Sequence, residues 1–378
     1  MHILIAPNAF KNSLTATAAA AAIQRGLAHA APGATSECFP IGDGGDGTAD
    51  LLIDRLHGQR IPAKARDPLG RNIQTYFGLA GSTAIIEMAN ASGLRLLTPQ
   101  ELNPLRTTTL GTGDLIRAAL DHNPTRIIIG MGGSATVDGG TGILQSLGAK
   151  FLNSHGQPLT DLPAQLPDLA SIDLSALDPR LATHGPHRPA LELIVLCDVT
   201  NPLTGPNGAA TIFGPQKGAT PSAVLQLESG LQRLAHIIAR QTGVDPSTLP
   251  RTGTAGGAAA GLHALLGASL VSGIEYFLDL TNFNESLSHA DYLITGEGAL
   301  DEQTLQGKAP FGVAIRAKEK GIPVIALTGR LPKNSAPLQP YFDKIISINP
   351  PNITLAEALS TTAGNLERIA TQLVKIII

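Results

Sequence analysis

The chain has 378 residues, 43% hydrophobic and 3% aromatic, with no Trp and a formal net charge of -3 at pH 7. That length exceeds what one core usually serves, so two domains are expected, and the Ala- and Gly-rich composition suits packed α/β layers. The near-neutral charge, without a basic block or stacking aromatics, argues against nucleic acid as a partner. Cys38 and Cys197 are too few for a disulfide framework and do not make a metal pair.

Residues 2–6 read as an apolar strand, ended by Pro7 and followed by an Ala-rich helix over 15–30 that Ser13 or Thr15 can cap. The same opening lacks the basic start and long apolar centre of a secretory signal, so a reducing, cytoplasmic location is expected. A second strand over 37–41 leads into Gly42-Asp-Gly-Gly-Asp-Gly-Thr and a helix over 49–56. Closely spaced runs at 61–66, 72–79 and 83–88, separated by turn residues, predict an antiparallel meander. There follow a helix after Gly113, a strand over 126–129 with a Gly-rich loop, a Pro-rich stretch 159–189 expected as an irregular surface excursion, and a strand over 191–197. Residues 254–274 carry no charge over a length that could span a bilayer, but their glycines, hydroxyls and His263 favour a buried helix with Gly-rich ends, so no membrane partner is expected. Strands at 291–295, 323–328 and 344–348 then alternate with helices, the last over 355–376. The five strands of the two chain ends predict a doubly wound parallel sheet built from 1–60 plus 286–378. Residues 61–285 form an inserted mixed α/β domain in this reading.

In an open parallel sheet, ligands gather at the carboxyl ends of the strands, where helices begin. The polar residues follow that rule: Asn8 and Lys11 after the first strand, Asp43 and Asp46 after the second, Glu297 and Asp301 after the third, Thr328 and Arg330 after the fourth. The loop 295–310 combines Gly296 and Gly298 around Glu297, then Asp301, Glu302, Gly307 and Lys308. Acids for a metal, bare backbone for phosphate and a cation are the equipment of phosphoryl transfer. It is not a Walker loop, because Ala309 follows Lys308 and Gly298 lies too far upstream.

The 42–48 loop lacks the length and final acid of an EF-hand, and suits one Mg2+ ligand or a hydrogen bond to substrate. Gly130, Gly132 and Ala135 match the dinucleotide fingerprint, but Lys150 begins the stretch where an acidic ribose partner belongs. What remains is a phosphate-cradling backbone at Gly132 and Gly133, with Ser134, Thr136 and Asp138 as polar helpers. Asp198 and Asn201 follow another apolar strand, with a structural Asx turn as the alternative for Asn201. Lys217, between glycines, is a candidate phosphate or carboxylate contact. The ten histidines show no metal-ligand spacing. Spacing alone points to a Mg2+-dependent phosphotransferase.

Seven ordered segments make the sequence resemble the type 1 glycerate kinase family over essentially its whole length. They begin at Ile5-Ala-Pro-Asn-Ala-Phe-Lys, Gly42-Asp-Gly-Gly-Asp, Ile86-Glu-Met-Ala-Asn-Ala-Ser, Ile128-Ile-Gly-Met-Gly-Gly-Ser, Cys197-Asp-Val-Thr-Asn-Pro, Phe213-Gly-Pro-Gln-Lys-Gly and Leu293-Ile-Thr-Gly-Glu-Gly. The resemblance implies ATP-dependent phosphorylation of D-glycerate, commonly at the 2-hydroxyl, so that 2-phosphoglycerate is the favoured product and the 3-phosphate stays open. It also implies a flavodoxin-like domain joined to one likened to restriction endonucleases, with an interdomain cleft. On this reading Lys11, Ser13, Asn8 and Ser92 hold substrate. Asp43 is the base or hydroxyl-orienting group, with Asp198 and Lys11 also in the catalytic set. Glu297 and Asp301 hold Mg2+, and Gly296, Gly298, Lys308, Gly132, Gly133, Ser134 and Lys217 frame ATP. The family usually has Asp, Glu and Arg where this chain has Asn8, Asp46 and Ala299. A kinase or phosphatase for another small hydroxy acid and a non-catalytic glycerate-binding regulator stay open, as does the choice between monomer and homodimer.

Overall fold

The strands run, in chain order, β1 His2–Pro7, β2 Thr35–Cys38, β3 Gln59–Arg66, β4 Asn72–Ala80, β5 Thr83–Glu87, β6 Arg126–Gly130, β7 Lys150–Leu152, β8 Ser171–Asp173, β9 Glu192–Cys197, β10 Ser269–Ser272, β11 Tyr292–Glu297, β12 Val324–Thr328 and β13 Lys344–Ser347. The structure, a computed structural model, describes residues 1–181, 191–301, 304–305, 307–332 and 334–377. Glu302 and the end of the Pro-rich stretch, 182–189, therefore lie outside the described residues. The chain divides into two compact units, Met1–Asp43 with Ile274–Ile378, and Gly44–Gly273.

The first unit is a five-stranded sheet in the order β13-β12-β11-β1-β2, parallel throughout. Its central strands are apolar on both faces, as parallel strands covered by helices must be. Ile3, Leu4 and Ile5 of β1 and Leu293 and Ile294 of β11 are fully buried. Ile3, Ile5 and Ile294 pack with helices Ala16–Ala30 and Leu355–Ile377. Gly26 lets those helices meet, because a Cβ there would stand 2.2 Å from Glu367 O. Thr15, of the two predicted caps, accepts from Ala18 N at 3.2 Å.

The second unit is a six-stranded mixed sheet, β10-β9-β6-β5-β4-β3. β10, β9, β6 and β5 are parallel, and β4 and β3 continue as the antiparallel meander. Ile127, Ile129, Val195, Leu115 and Ile116 share its core. Helix Leu110–Leu120 is fastened to β3 by buried Asp114, which accepts from Arg66 N, Nε and Nη2 at 3.1, 2.8 and 2.6 Å and from Ser146 Oγ at 2.6 Å.

Several expectations need correction. The second strand ends at Cys38, not residue 41. Pro40 has no N–H to donate, although Phe39 N and Ile41 N still bond to Ile5 O and Pro7 O at 2.7 and 3.1 Å. The described part of 159–189 is no surface excursion: Leu162, Leu166, Leu169 and Ile172 are buried in the core, and β8 pairs with β7. The uncharged run 254–274 does hold the expected buried helix with Gly-rich ends, Ala258–Leu266 between left-handed Gly257 and Gly267, but is shared with β10 and the start of helix Gly273–Leu280. No helix among the described residues is long and apolar enough to cross a membrane. Helix Pro221–Thr242, with Thr220 as its cap and left-handed Gly243 closing it, was missed. Helix Thr48–Arg55 packs on β5 and β4, within the second unit.

Asp114 gives the fold its clearest test. Asp114→Ala strands a guanidinium and a backbone amide, and should cost about 3–5 kcal/mol in urea unfolding, whereas Ser146→Ala should cost only about 1 kcal/mol. Equal losses in the two variants would show that the Arg66 pair contributes nothing of its own.

Candidate functional site

In the first unit, the carboxyl ends of β1 and β11 bring most of the predicted residues together. Asn8 N donates to Gly296 O at 2.9 Å, and Asn8 Nδ2 donates to Asp43 Oδ2 at 3.1 Å, so Asn8 orients Asp43. Asn8 Oδ1 accepts from Ala9 N at 2.7 Å, which fixes the direction of the amide. Lys11 is exposed in the following turn, where Asn12 adopts φ 64. Ser13 Oγ donates to Leu359 O in the last helix, an internal tie. The two glycines beside Glu297 differ. Gly296 sits in the ladder, where a Cβ would meet Leu327 O at 2.1 Å; at Gly298 the nearest atom would be Lys11 N at 3.5 Å.

Glu297 closes β11 and was expected just after the strand. Its Oε1 accepts from Thr304 Oγ1 at 3.1 Å, and Thr304 Oγ1 also accepts from Asp301 N at 3.1 Å. Burial pushes the Glu297 carboxyl up to about 7, against the pull of Lys308 and with the help of Asp43 and Asp301. Lys308 stands at the N-cap of helix Ala309–Glu319, its Nζ 3.5 Å from Asp301 Oδ1. Thr328 Oγ1 accepts from Leu300 N at 3.1 Å and donates to Arg330 O at 2.9 Å, holding the loop between β11 and the helix.

In the second unit, two glycine-rich loops pack on each other. Gly132 N donates to Gly44 O at 2.8 Å. A Cβ on Gly132 would stand 2.4 Å from Gly45 Cα, and one on Gly44 would stand 2.7 Å from Leu196 O. Their glycines thus answer a steric demand. Asp46 Oδ1 accepts from Arg95 Nη1 at 3.1 Å, and Arg95 Nη2 donates to Asn90 Oδ1. No helix opens directly after Gly133, where φ is 68; the next is Thr141–Ser146, so the dinucleotide fingerprint lacks its structural context.

Several predicted residues of this unit point inward. Lys217 is 2% exposed, and its Nζ donates to Ser134 Oγ at 2.8 Å and Thr136 O at 2.7 Å. Burial lowers its pKa to about 7, although Asp138 and Asp198 favour the charged form. Ser92 is fully buried against Thr112 Oγ1 at 2.7 Å. Asp138, also buried, accepts from Thr109 N, Thr109 Oγ1 and Gly140 N at 2.8, 2.8 and 2.9 Å. Asn201 Nδ2 donates to Asn207 O at 2.8 Å, a structural tie of another kind than the Asx turn named for it, in which its Oδ1 would accept from a backbone amide two residues on.

Among the described residues, no three His, Cys, Asp or Glu side chains converge as a ready-made metal cage. Mg2+ needs none, since it is commonly held by one or two carboxylates with phosphate oxygens and water. Glu297 fits that demand: burial first raises its carboxyl, and Asp43 and Asp301 within electrostatic reach add a like-charge cost that a cation would relieve. Sequence reasoning missed two buried polar side chains that hold these segments. Thr304 is fully buried and links Asp301 to Glu297; nothing in its spacing sets it apart. Glu87, within a quoted segment, is an acid at the end of an apolar strand, and that mismatch was the available signal.

The glycerate kinase family model matches residues 3–378 of the chain. The chain is 43% identical over 371 residues to a glycerate kinase of Halalkalibacterium halodurans, covering 97% of this chain and 96% of that one. It is 41% identical over 371 residues to the glycerate 2-kinase of Escherichia coli K12, with the same coverages of 97% and 96%. A crystal structure from Salmonella typhimurium LT2, assigned as a glycerate kinase 2, superposes with a TM-score of 0.83 at 42% identity, covering 100% of this chain and 98% of that one.

Lys217 yields a pH test. The unfolded lysine keeps its ordinary value of 10.5 and the folded one is lowered to about 7, so between those values the unfolded chain holds the extra proton and stability should rise with pH. Urea unfolding of wild type and Lys217→Met across that window should show the rise in wild type alone. Parallel curves would mean that folding leaves the Lys217 pKa at its ordinary value.

Proposed function

The chain belongs to the glycerate kinase family, and from that we propose that it transfers the γ-phosphoryl group of ATP, with Mg2+, to the 2-hydroxyl of D-glycerate, giving 2-phosphoglycerate. It is an enzyme, and glycerate is what it phosphorylates. The observation that carries the finer reading is the group at the end of β1 and β11: Asp43 held by Asn8, Glu297 with Asp301, and Lys308 and Lys11 beside them. The strand order of the first unit, 2-1-3-4-5 when its strands are numbered alone, supports a flavodoxin-like description. The restriction-endonuclease-like description of the second unit rests on the resemblance.

In this reading exposed Lys11 meets the glycerate carboxylate, a charge-assisted contact that fixes the small acid. Asp43, oriented by the Asn8 amide, accepts the proton of the attacking hydroxyl. Asp198, half-buried beyond β9, is the second choice for that role. Glu297 and Asp301 would hold Mg2+, which would neutralise charge developing on the phosphate oxygens. Gly298 leaves backbone open beside them, and Lys308 adds a cation. Within the second unit the backbone at Gly132 and Gly133 is a phosphate cradle, while Ser134 and Lys217 hold that loop from inside, as Ser13 and Ser92 hold their own segments.

Release of ADP coupled to glycerate should fall by about 10²–10⁴-fold in Asp43→Ala and in Glu297→Ala, in proteins shown folded by circular dichroism. Phosphorus NMR of the product should report the 2-phosphate. Near-normal turnover in either variant would remove that residue from the mechanism. Calorimetric binding of glycerate without ADP release by the wild type would favour a non-catalytic regulator.

A further inference from the structure

Glu87 ends β5 with 3% of its surface exposed, where an apolar residue would be expected. Its Oε2 accepts from Ala49 N at 2.8 Å, in the first turn of helix Thr48–Arg55. That helix needs an outside partner, because its N-cap residue, Gly47 at φ 92, has no side chain to cap it. The other oxygen, Oε1, is buried and has no hydrogen-bond partner. It lies over Gly130: a Cβ built there would be 3.6 Å from both Glu87 Oε1 and Gly44 O. Gly130 O accepts from Met88 N at 2.9 Å, and Gly132 N donates to Gly44 O at 2.8 Å. One carboxyl group therefore touches the place where β5, β6 and the loop 44–47 meet.

We propose that Glu87 is a positioning residue for the loop 44–47: by holding the Ala49 amide it fixes the backbone that leaves Asp43, and so the aim of Asp43. This rests on the assignment of Asp43 made above. The role asks for an acceptor oxygen at the right reach and not for a charge. The groups around it agree. Burial dominates, Asp46 and Asp50 disfavour a further negative charge, and Arg95 and the Ala49 amide only partly offset them, so the carboxyl sits well above its usual range. Glutamine, of the same length and with the same acceptor, should replace it. Alanine, without the acceptor, and aspartate, one methylene short, should not.

The test compares full-length wild type with Glu87→Gln, Glu87→Ala and Glu87→Asp. It reads kcat, the separate KM values for glycerate and ATP, the pH profile, and amide hydrogen exchange over 44–50. Glu87→Ala should lose at least about tenfold in kcat with the KM for ATP within about twofold, since a misplaced catalytic group costs rate more than nucleotide binding. Exchange at Ala49 should quicken in the same variant. Glu87→Gln should restore both and leave the pH profile unchanged. Should the alanine protein fail to fold, Glu87→Asp carries the same expectation. Full kcat in the alanine or aspartate variant would overturn the proposal, as would a glutamine variant as impaired as alanine, which would make the charge essential. Absence of ADP release from wild type with glycerate would overturn the functional reading instead. The exchange measurement would then still decide the Glu87–Ala49 link, with unchanged exchange at Ala49 in Glu87→Ala counting against it.

Discussion

The arrangement depends on one strand pair. β1 and β11, whose first residues are His2 and Tyr292, run parallel with Ile3 beside Tyr292 and Pro7 beside Gly296. Two further bonds pin that register, Thr295 Oγ1 donating to Ala6 O at 2.8 Å and Asn8 N donating to Gly296 O at 2.9 Å. A slip by one residue would exchange the two faces of a strand already buried on both, and would carry Glu297 away from Asn8 and Asp43. The entropy of joining chain ends so far apart is offset by the apolar burial along β1 and β11, of which only His2, Tyr292 and Glu297 are not fully buried. Chemistry at the strand ends thus inherits its precision from the core below it.

The second unit places a different demand on the same residue type. Gly132 against Gly45, and Gly44 against Leu196 O, are contacts that a side chain would forbid. A glycine-rich segment invites a reading as a phosphate cradle, yet here the glycines first allow two loops to pack. Both purposes are compatible, since a loop anchored on one side can present its amides on the other. What the packing removes is any inference from glycine content alone.

This separates what was legible in the sequence from what was not. The strand-end acids and the sheet that gathers them follow from apolar runs ending in Asn8, Asp43 and Glu297, because local periodicity is readable. Lys217 carries no mark that its ammonium turns inward to Ser134, 83 positions away, and between two glycines it looks exposed. Ser92 and Thr304 are equally silent: a hydroxyl reads the same whether it meets a ligand or another side chain. Long-range hydrogen bonding settles such cases, and one sequence does not display it. Glu87 is intermediate, since an acid ending the apolar strand Thr83–Glu87 signals a buried carboxyl without saying what it holds.

The charge balance at the strand ends explains why Asn8 can stand where the resembling family has an aspartate. Asp43, Glu297 and Asp301 already repel one another, and burial and that repulsion raise Glu297 to about 7 while Lys308 draws it down. A carboxylate at residue 8 would add a like charge within hydrogen-bond distance of Asp43, tolerable only with a cation in place. The amide donates at 3.1 Å instead, so Asp43 has a fixed direction that needs no metal. Orientation of Asp43 is thereby separated from metal binding. In the proposed mechanism that leaves Glu297 and Asp301 as the acids that would hold the cation, and Asp43 as the one that faces the hydroxyl.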